Sequence, residues 1–225
     1  PPLADAVVRA PHGKLPVLGT AASYRTMPSC AAGQGTNARR PEGERGLSII
    51  GIGANLPHAH FGPPRATCGA ALQMLEKQDV SIVDRSSWYE TAPVPVSDQP
   101  WYVNGVAAVT TSLPPEGLIA RLLAVEATLG RTRGAPNAAR VVDLDLLAYG
   151  DQVRGEGDPR ARLQLPHPRM HERSFVLNPL CDMAENWVHP VLNRTAAELR
   201  DGLPPRQAIR RVADAAGLYG TEWNA

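Results

Sequence analysis

The chain has 225 residues, 43% hydrophobic and 20% charged, which suits one domain with extensions, or at most two small ones, around a real core. Its 23 basic and 22 acidic side chains leave a formal net charge of +1, so bulk electrostatics give no reason to expect a nucleic-acid or membrane partner. Cys30, Cys68 and Cys181 are too widely spaced for a disulfide framework or a structural zinc site, and they fit a reducing, cytoplasmic setting.

Residues 1–45 are rich in Pro, Gly, Ala and Arg without sustained apolar periodicity, and they read as a flexible extension. No stretch approaches the ~20 apolar residues that cross a bilayer, and the start lacks the apolar core of a signal peptide. Order is expected from "LSIIGIGANL", a short apolar strand running into a turn. "RATCGAALQMLE" carries Ala71, Leu72 and Leu75 at helical spacing, and "VSIVDRSSWYETA" returns to β-branched and aromatic residues, one strand in this reading. A proline-marked loop follows, then "WYVNGVAAVTTSL" as a further strand. "PPEGLIARLLAVEATLG" predicts a helix with prolines in its first turn, Leu118, Leu122, Val125 and Leu129 on one face, and Gly130 at its end. A Gly/Ala-containing loop leads into the strand "VVDLDLLAYG". The order β-α-β-β-α-β is that of an α+β, ferredoxin-like core, an antiparallel sheet with two helices on one face. Residues 46–190 are expected to form this domain, and 191–225 a C-terminal helical or tail segment that includes a polar helix from about Thr195.

Chemistry concentrates in the last strand. Asp143 and Asp145 stand two apart, so they share one face while Leu144 and Leu146 share the other. Two adjacent carboxylates repel unless a cation lies between them. Mg²⁺, which takes a few carboxylates plus phosphate oxygens and water, is one candidate; two acids on a solvated face are the alternative. Arg131, Arg133 and Arg140 flank the pair with forked donors suited to phosphate oxygens, the parts that phosphoryl transfer needs. Strand periodicity does not put Arg140 on the aspartates' face, so it must reach them from the loop. "GIGANL" fails as a dinucleotide fingerprint, since Leu56 stands at its third glycine position; Gly51 and Gly53 read better as sites of close backbone approach. His167 and His171 are four apart and could share a helix face, but zinc would need a third ligand. Tyr102, Asn104 and Phe175 offer two flat rings and a paired donor and acceptor for a heterocyclic edge; two core aromatics and a turn residue are an equally good reading.

"GIGANL", "SSWYETAPV", "DQPWYVNGV", "TSLPPEGLIARLLAVEATLGRTR", "ARVVDLDLLAYG" and "LPHPRMHERSFVLNPL", in this order, resemble the 6-hydroxymethyl-7,8-dihydropterin pyrophosphokinases of folate biosynthesis over roughly Leu47 to Trp187. The resemblance implies a ferredoxin-like fold and an enzyme that moves pyrophosphate from ATP to the pterin hydroxymethyl group, releasing AMP. It implies two Mg²⁺ ions on Asp143 and Asp145, with Arg131 and Arg140 bearing on the transferring phosphates. It gives Arg133, Arg162, His167 and Arg173 to ATP. Thr91, Pro93, Val94 and Asn104 would line the pterin edge, with Tyr102 and Phe175 stacking on its faces. A monomer acting on these two small molecules is expected. The chain departs from the family pattern in the loop between Arg131 and Arg140, which carries small or polar residues where some members have a tryptophan, and at Leu123 and Pro168 on the ATP side. The rival from another class is a non-catalytic module that binds a small molecule on the same fold.

Overall fold

The computed structural model describes residues 47–131, 138–158, 161–204 and 208–224; the expected extension 1–45 and Arg133 lie outside the described residues. Strand β1 (Leu47–Ala54) is followed by helix α1 (Pro64–Glu76), strands β2 (Val80–Arg85), β3 (Trp88–Thr91) and β4 (Tyr102–Thr111), helix α2 (Pro115–Thr128) and strand β5 (Asp143–Tyr149). Helices α3 (Ser174–Ala184) and α4 (Ala196–Asp201) and strand β6 (Ile209–Val212) complete the described chain. Both long helices open with proline, which lacks the N–H that a first turn cannot use and has its φ already set for a helix. Gly130, at φ 74°, takes the left-handed conformation that turns the chain away after α2. Thr195 and Glu198 cap α4 reciprocally, each side chain accepting from the other's backbone N–H, so the expected helix does begin there.

The strands form one sheet ordered β5–β1–β4–β3–β6, with β2 also on β4, and every pair is antiparallel. Alternation sorts its side chains into two cores. Ile50, Ile52, Leu144 and Leu146 pack with Leu72, Leu118, Leu122 and Val125 of α1 and α2. Ile49, Val106 and Leu147 pack with Val176, Leu177 and Leu180 of α3 and with Leu199 of α4. The expected pair of helices on one face is therefore present, and a second layer covers the other face. Burying apolar area on both sides contributes roughly 25 cal/mol per Å² of surface removed from water, so the central strands are the most strongly held.

Two expectations are corrected. The stretch read as one strand is two, β2 and β3, because Ser86 turns its own groups toward β4: its N–H donates to the Val106 carbonyl at 2.9 Å, and its Oγ accepts from the Val106 N–H at 3.0 Å. The C-terminal part is not helical throughout. Strand β6 pairs with β3 from Ile209 opposite Thr91 to Val212 opposite Trp88. The residues after it return to α1, where Trp223 Nε1 donates to Gln73 Oε1 at 3.1 Å, Tyr219 Oη to Glu76 at 2.5 Å, and Arg65 forks onto Glu222. Residues 219–223, which carry no signal in the sequence, thus pack on α1.

Candidate active site

The site lies on the α3-facing side of the sheet. Gly53 is opposite Asn104 on one side and Asp143 on the other, while Gly51 faces Asp145, so one row of residues runs Asp143–Gly53–Asn104 across three strands. A Cβ on Gly53 would come within 2.9 Å of Asn104 Oδ1, so glycine there keeps the floor low enough for the amide. Asn104 Nδ2 donates to Thr91 Oγ1 at 2.8 Å, which fixes which way the amide points. Tyr102 and Phe175 are half-buried, Phe175 packing against the α3 core, and Asn104 sits in a strand. All three line one cavity.

The cavity above this row measures about 490 Å³ and brings together Thr91, Pro93, Val94, Tyr102, Asn104, Arg131, Arg140, Asp143, Asp145, His167, Arg173 and Phe175. Arg162 stands apart, in an adjoining cavity of about 270 Å³ that shares Asp145 and His167 with the first and is otherwise walled by Leu122, Leu123, Pro168 and their neighbours. Leu123 and Pro168, the positions that depart from the family pattern, thus line the same cavity.

The cation required by the acid pair is supplied by arginine. Arg140 reaches back from the loop, as expected, and its guanidinium donates to Asp143 Oδ2 at 2.5 Å. Arg131 holds the other oxygen at 2.6 Å, and Arg173 lies 3.9 Å from Asp145. Burial, and then the charge of Asp143, push the Asp145 carboxyl above the usual range. A further cation at this point would relieve it. No group of three or more His, Cys, Asp or Glu that could hold a metal gathers among the described residues. Two cavity-facing carboxylates, with side chains 24% and 43% exposed, fit an ion that draws its remaining ligands from phosphate and water, as Mg²⁺ does, and do not fit a closed zinc site.

His167 and His171 do not share a helix face. His167 precedes a single 3₁₀ turn at Met170–Glu172, and His171 stacks edge-on against His189 with ring centroids 5.8 Å apart. Burial and the charges of Arg173 and Arg169 bring the His167 pKa down to about 4. It is therefore neutral at physiological pH. Its Nδ1 accepts from the Arg169 N–H at 3.2 Å, which leaves the proton on Nε2 as a donor.

A family model described as 7,8-dihydro-6-hydroxymethylpterin-pyrophosphokinase (HPPK) matches residues 49–185. The chain belongs to this family. The 2-amino-4-hydroxy-6-hydroxymethyldihydropteridine pyrophosphokinase of Methylorubrum extorquens is 39% identical over 167 residues, which are 73% of this chain and 98% of that protein. The enzyme of the same name from Pseudomonas aeruginosa is 38% identical over 136 residues, 60% of this chain and 78% of that one. The folic acid synthesis protein fol1 of Pneumocystis carinii is 37% identical over 127 residues, but these are only 17% of its length, so the chain corresponds to a small part of that relative. Among solved structures, wild-type Plasmodium falciparum HPPK-DHPS with STZ-DHP aligns with a TM-score of 0.55 at 15% identity, covering 70% of this chain and 43% of that one; the likeness speaks for the fold. Membership makes the chain a transferase and does not favour a non-catalytic binding module.

The sequence reading missed Glu126. It is 3% exposed, accepts from the Leu144 N–H at 2.7 Å and pairs with Arg131, so it joins the strand between the two aspartates to one of their arginines. Burial raises its pKa, against the lowering by the Leu144 N–H and the Arg131 charge. A signal did exist. Glu126 follows Leu122 by four residues and so falls on the apolar face of α2, the wrong place for a solvated acid. Arg169, which also lines the main cavity, gave no such signal.

Proposed function

We propose that the protein transfers pyrophosphate from ATP to the hydroxymethyl group of 6-hydroxymethyl-7,8-dihydropterin, forming the pterin diphosphate and AMP for folate synthesis. The observation that carries this reading is one cavity in which an acid pair, four arginines and a ring-and-amide group face one another. In the transfer, the hydroxyl oxygen attacks the β-phosphorus in line and the bond from that phosphorus to the α-phosphate's bridging oxygen breaks. AMP carries that electron pair away, and the hydroxyl proton goes to water. Asp143 and Asp145 would hold two Mg²⁺ ions, which neutralise the phosphates and acidify the attacking hydroxyl. Arg131 and Arg140 leave Asp143 to donate to the transferring phosphates, where forked guanidiniums match the charge that builds up. Arg133, Arg162, Arg173 and the Nε2–H of His167 hold the nucleotide, with Leu123 and Pro168 against its base. Tyr102 and Phe175 sandwich the pterin, and Asn104, Thr91, Pro93 and Val94 read its edge.

We further read the core as ferredoxin-like. The βαββαβ order, and a sheet in which β4 lies between β1 and the β2–β3 pair with β5 outside β1, support that topology, the break at Ser86 being a local interruption of its second strand.

Pterin-dependent AMP release from ATP is the decisive test. The expected result is AMP formation that requires both the pterin and Mg²⁺; ATP turnover indifferent to the pterin would remove the proposal. Within it, Asn104→Ala is expected to weaken pterin binding by about 1 to 3 kcal/mol, the cost of leaving a buried polar edge unpaired, with ATP affinity unchanged. Calorimetric titration with each ligand separates the two, and equal weakening of both would take Asn104 out of the pterin edge.

A further inference from the structure

Asn55 does not line the cavity, yet it touches both segments that wall it. Its side chain is 1% exposed, and both ends of its amide are used. Asn55 Oδ1 accepts from the Arg140 N–H at 2.7 Å. Nδ2 donates to the Pro100 carbonyl at 3.2 Å and to Gln99 Oε1 at 3.3 Å. The main chain repeats the grip, since the N–H groups of Asn55 and Leu56 both donate to the Arg140 carbonyl, at 3.0 and 3.1 Å. Arg140 is thus held at its N–H and its C=O by the end of β1, while its side chain is free to hold Asp143. Gln99 in turn accepts from Tyr102 Oη at 3.2 Å, and the same hydroxyl lies 3.4 Å from the Ala138 carbonyl. Through one buried amide, the ring wall at Tyr102 and Gln99 is connected to the arginine that faces the acid pair.

We propose that Asn55 is a positioning residue that couples the two halves of the cavity, so that filling the ring-and-amide side sets the main chain of Arg140 for the phosphate side. This rests on the assignment of ATP and pterin to those halves. An amide is suited to the task because it presents a donor and an acceptor in one plane, and a buried amide satisfied on both ends holds both neighbours to one geometry. If either segment moves, the other must follow or leave a buried group unpaired.

Coupling between two ligands is a measurable quantity, the factor by which one changes the affinity of the other, and it is the same in both directions. Pterin affinity is measured by calorimetry on the full chain, with and without a saturating non-hydrolysable ATP analogue and Mg²⁺. Wild type is expected to show coupling on the order of tenfold, within the usual range for linked sites. Asn55→Ala, which lacks both contacts, is expected to bring the factor to about one, each ligand alone binding within about threefold of wild type. Asn55→Asp keeps the acceptor for the Arg140 N–H and the side-chain shape but loses the donor to Gln99 and Pro100. It too is expected to lose most of the coupling, and because it places a carboxyl in a buried site, far-UV circular dichroism is the fold control for both variants. A residue that only supports the fold would lower thermal stability and scale both affinities, leaving the ratio unmoved. An unchanged ratio in either folded variant, or no coupling in wild type, overturns the proposal. Absence of pterin-dependent AMP release by wild type would instead overturn the assignment of the cavity.

Discussion

Asp143→Ala and Asp145→Ala are each expected to lower pterin-dependent AMP release by a factor on the order of 10² to 10³, the usual cost of losing one preorganised electrostatic element. Each also moves the Mg²⁺ requirement to higher concentration. With one carboxylate gone, the ion must be held by its neighbour, by phosphate and by water. The fold is expected to survive in both variants. Removing Asp145 relieves a carboxyl that is raised by burial and by its neighbour's charge. Removing Asp143 deprives Arg131 and Arg140 of a partner, but Arg131 keeps Glu126, and both guanidiniums are partly open to water. The measurement is a Mg²⁺ titration of turnover with circular dichroism as the fold control. Wild-type turnover at the wild-type Mg²⁺ midpoint in either variant would mean that the metal binds elsewhere.

Trp88→Ala is expected to destabilise the protein by about 3 to 5 kcal/mol, the range for removing a large buried aromatic. Trp88 is 1% exposed and lies over Gly105, where even a single Cβ would come within 2.8 Å of the indole. Its Nε1–H donates to the Tyr219 carbonyl at 2.9 Å, so it also anchors the segment that covers α1. Collapse of the site around the missing ring is limited, because β4 behind it is paired on both sides. A urea midpoint shifted to lower concentration with an unchanged slope is the predicted observation. Trp88 belongs to the α1/α2 core, on the face away from the cavity. The folded fraction should therefore bind ATP and pterin with nearly wild-type affinity. A loss below about 1 kcal/mol would show that the core refills the space, against the packing described.

What could be read from the chain, and what could not, follows the range of the interactions involved. Asp143 and Asp145 announced their shared face because strand periodicity is local, and the same rule sent Leu144 and Leu146 into the opposite core. The two long helices carried their boundaries in their prolines and in Gly130. Arg140 was the weaker inference, since no period links a loop residue to a strand face; the 2.5 Å contact with Asp143 is made by a turn of the chain. Strand β6 was beyond reach. "IRRV" alternates too briefly to signal a strand, and it becomes one only because the edge of β3, more than a hundred residues earlier in the chain, leaves backbone groups to be paired. Ser86 and Ser87 were passed over inside a β-branched run, although small hydroxyl residues that can bond to nearby backbone are the kind that interrupt one. Asn55 stands at the end of a strand motif that gives its amide no role by itself; the buried amide has meaning only with Arg140 and Pro100 in view.

Strand β4 is paired from Val103 to Thr110 with β1, and on its other edge with β2 and then β3. It also begins at Tyr102 and Asn104, on the floor of the cavity. In solvent deuterium, its backbone amides should therefore be among the last in the molecule to exchange, opening only with global unfolding. The wall at Pro93–Pro100 is built differently, with Val94 and its neighbours exposed. Exchange there should be faster by orders of magnitude and should slow when ligands fill the cavity. Asn104 would then read the pterin edge from the stiffest part of the protein, while Val94 meets the same edge from one of its most exposed segments.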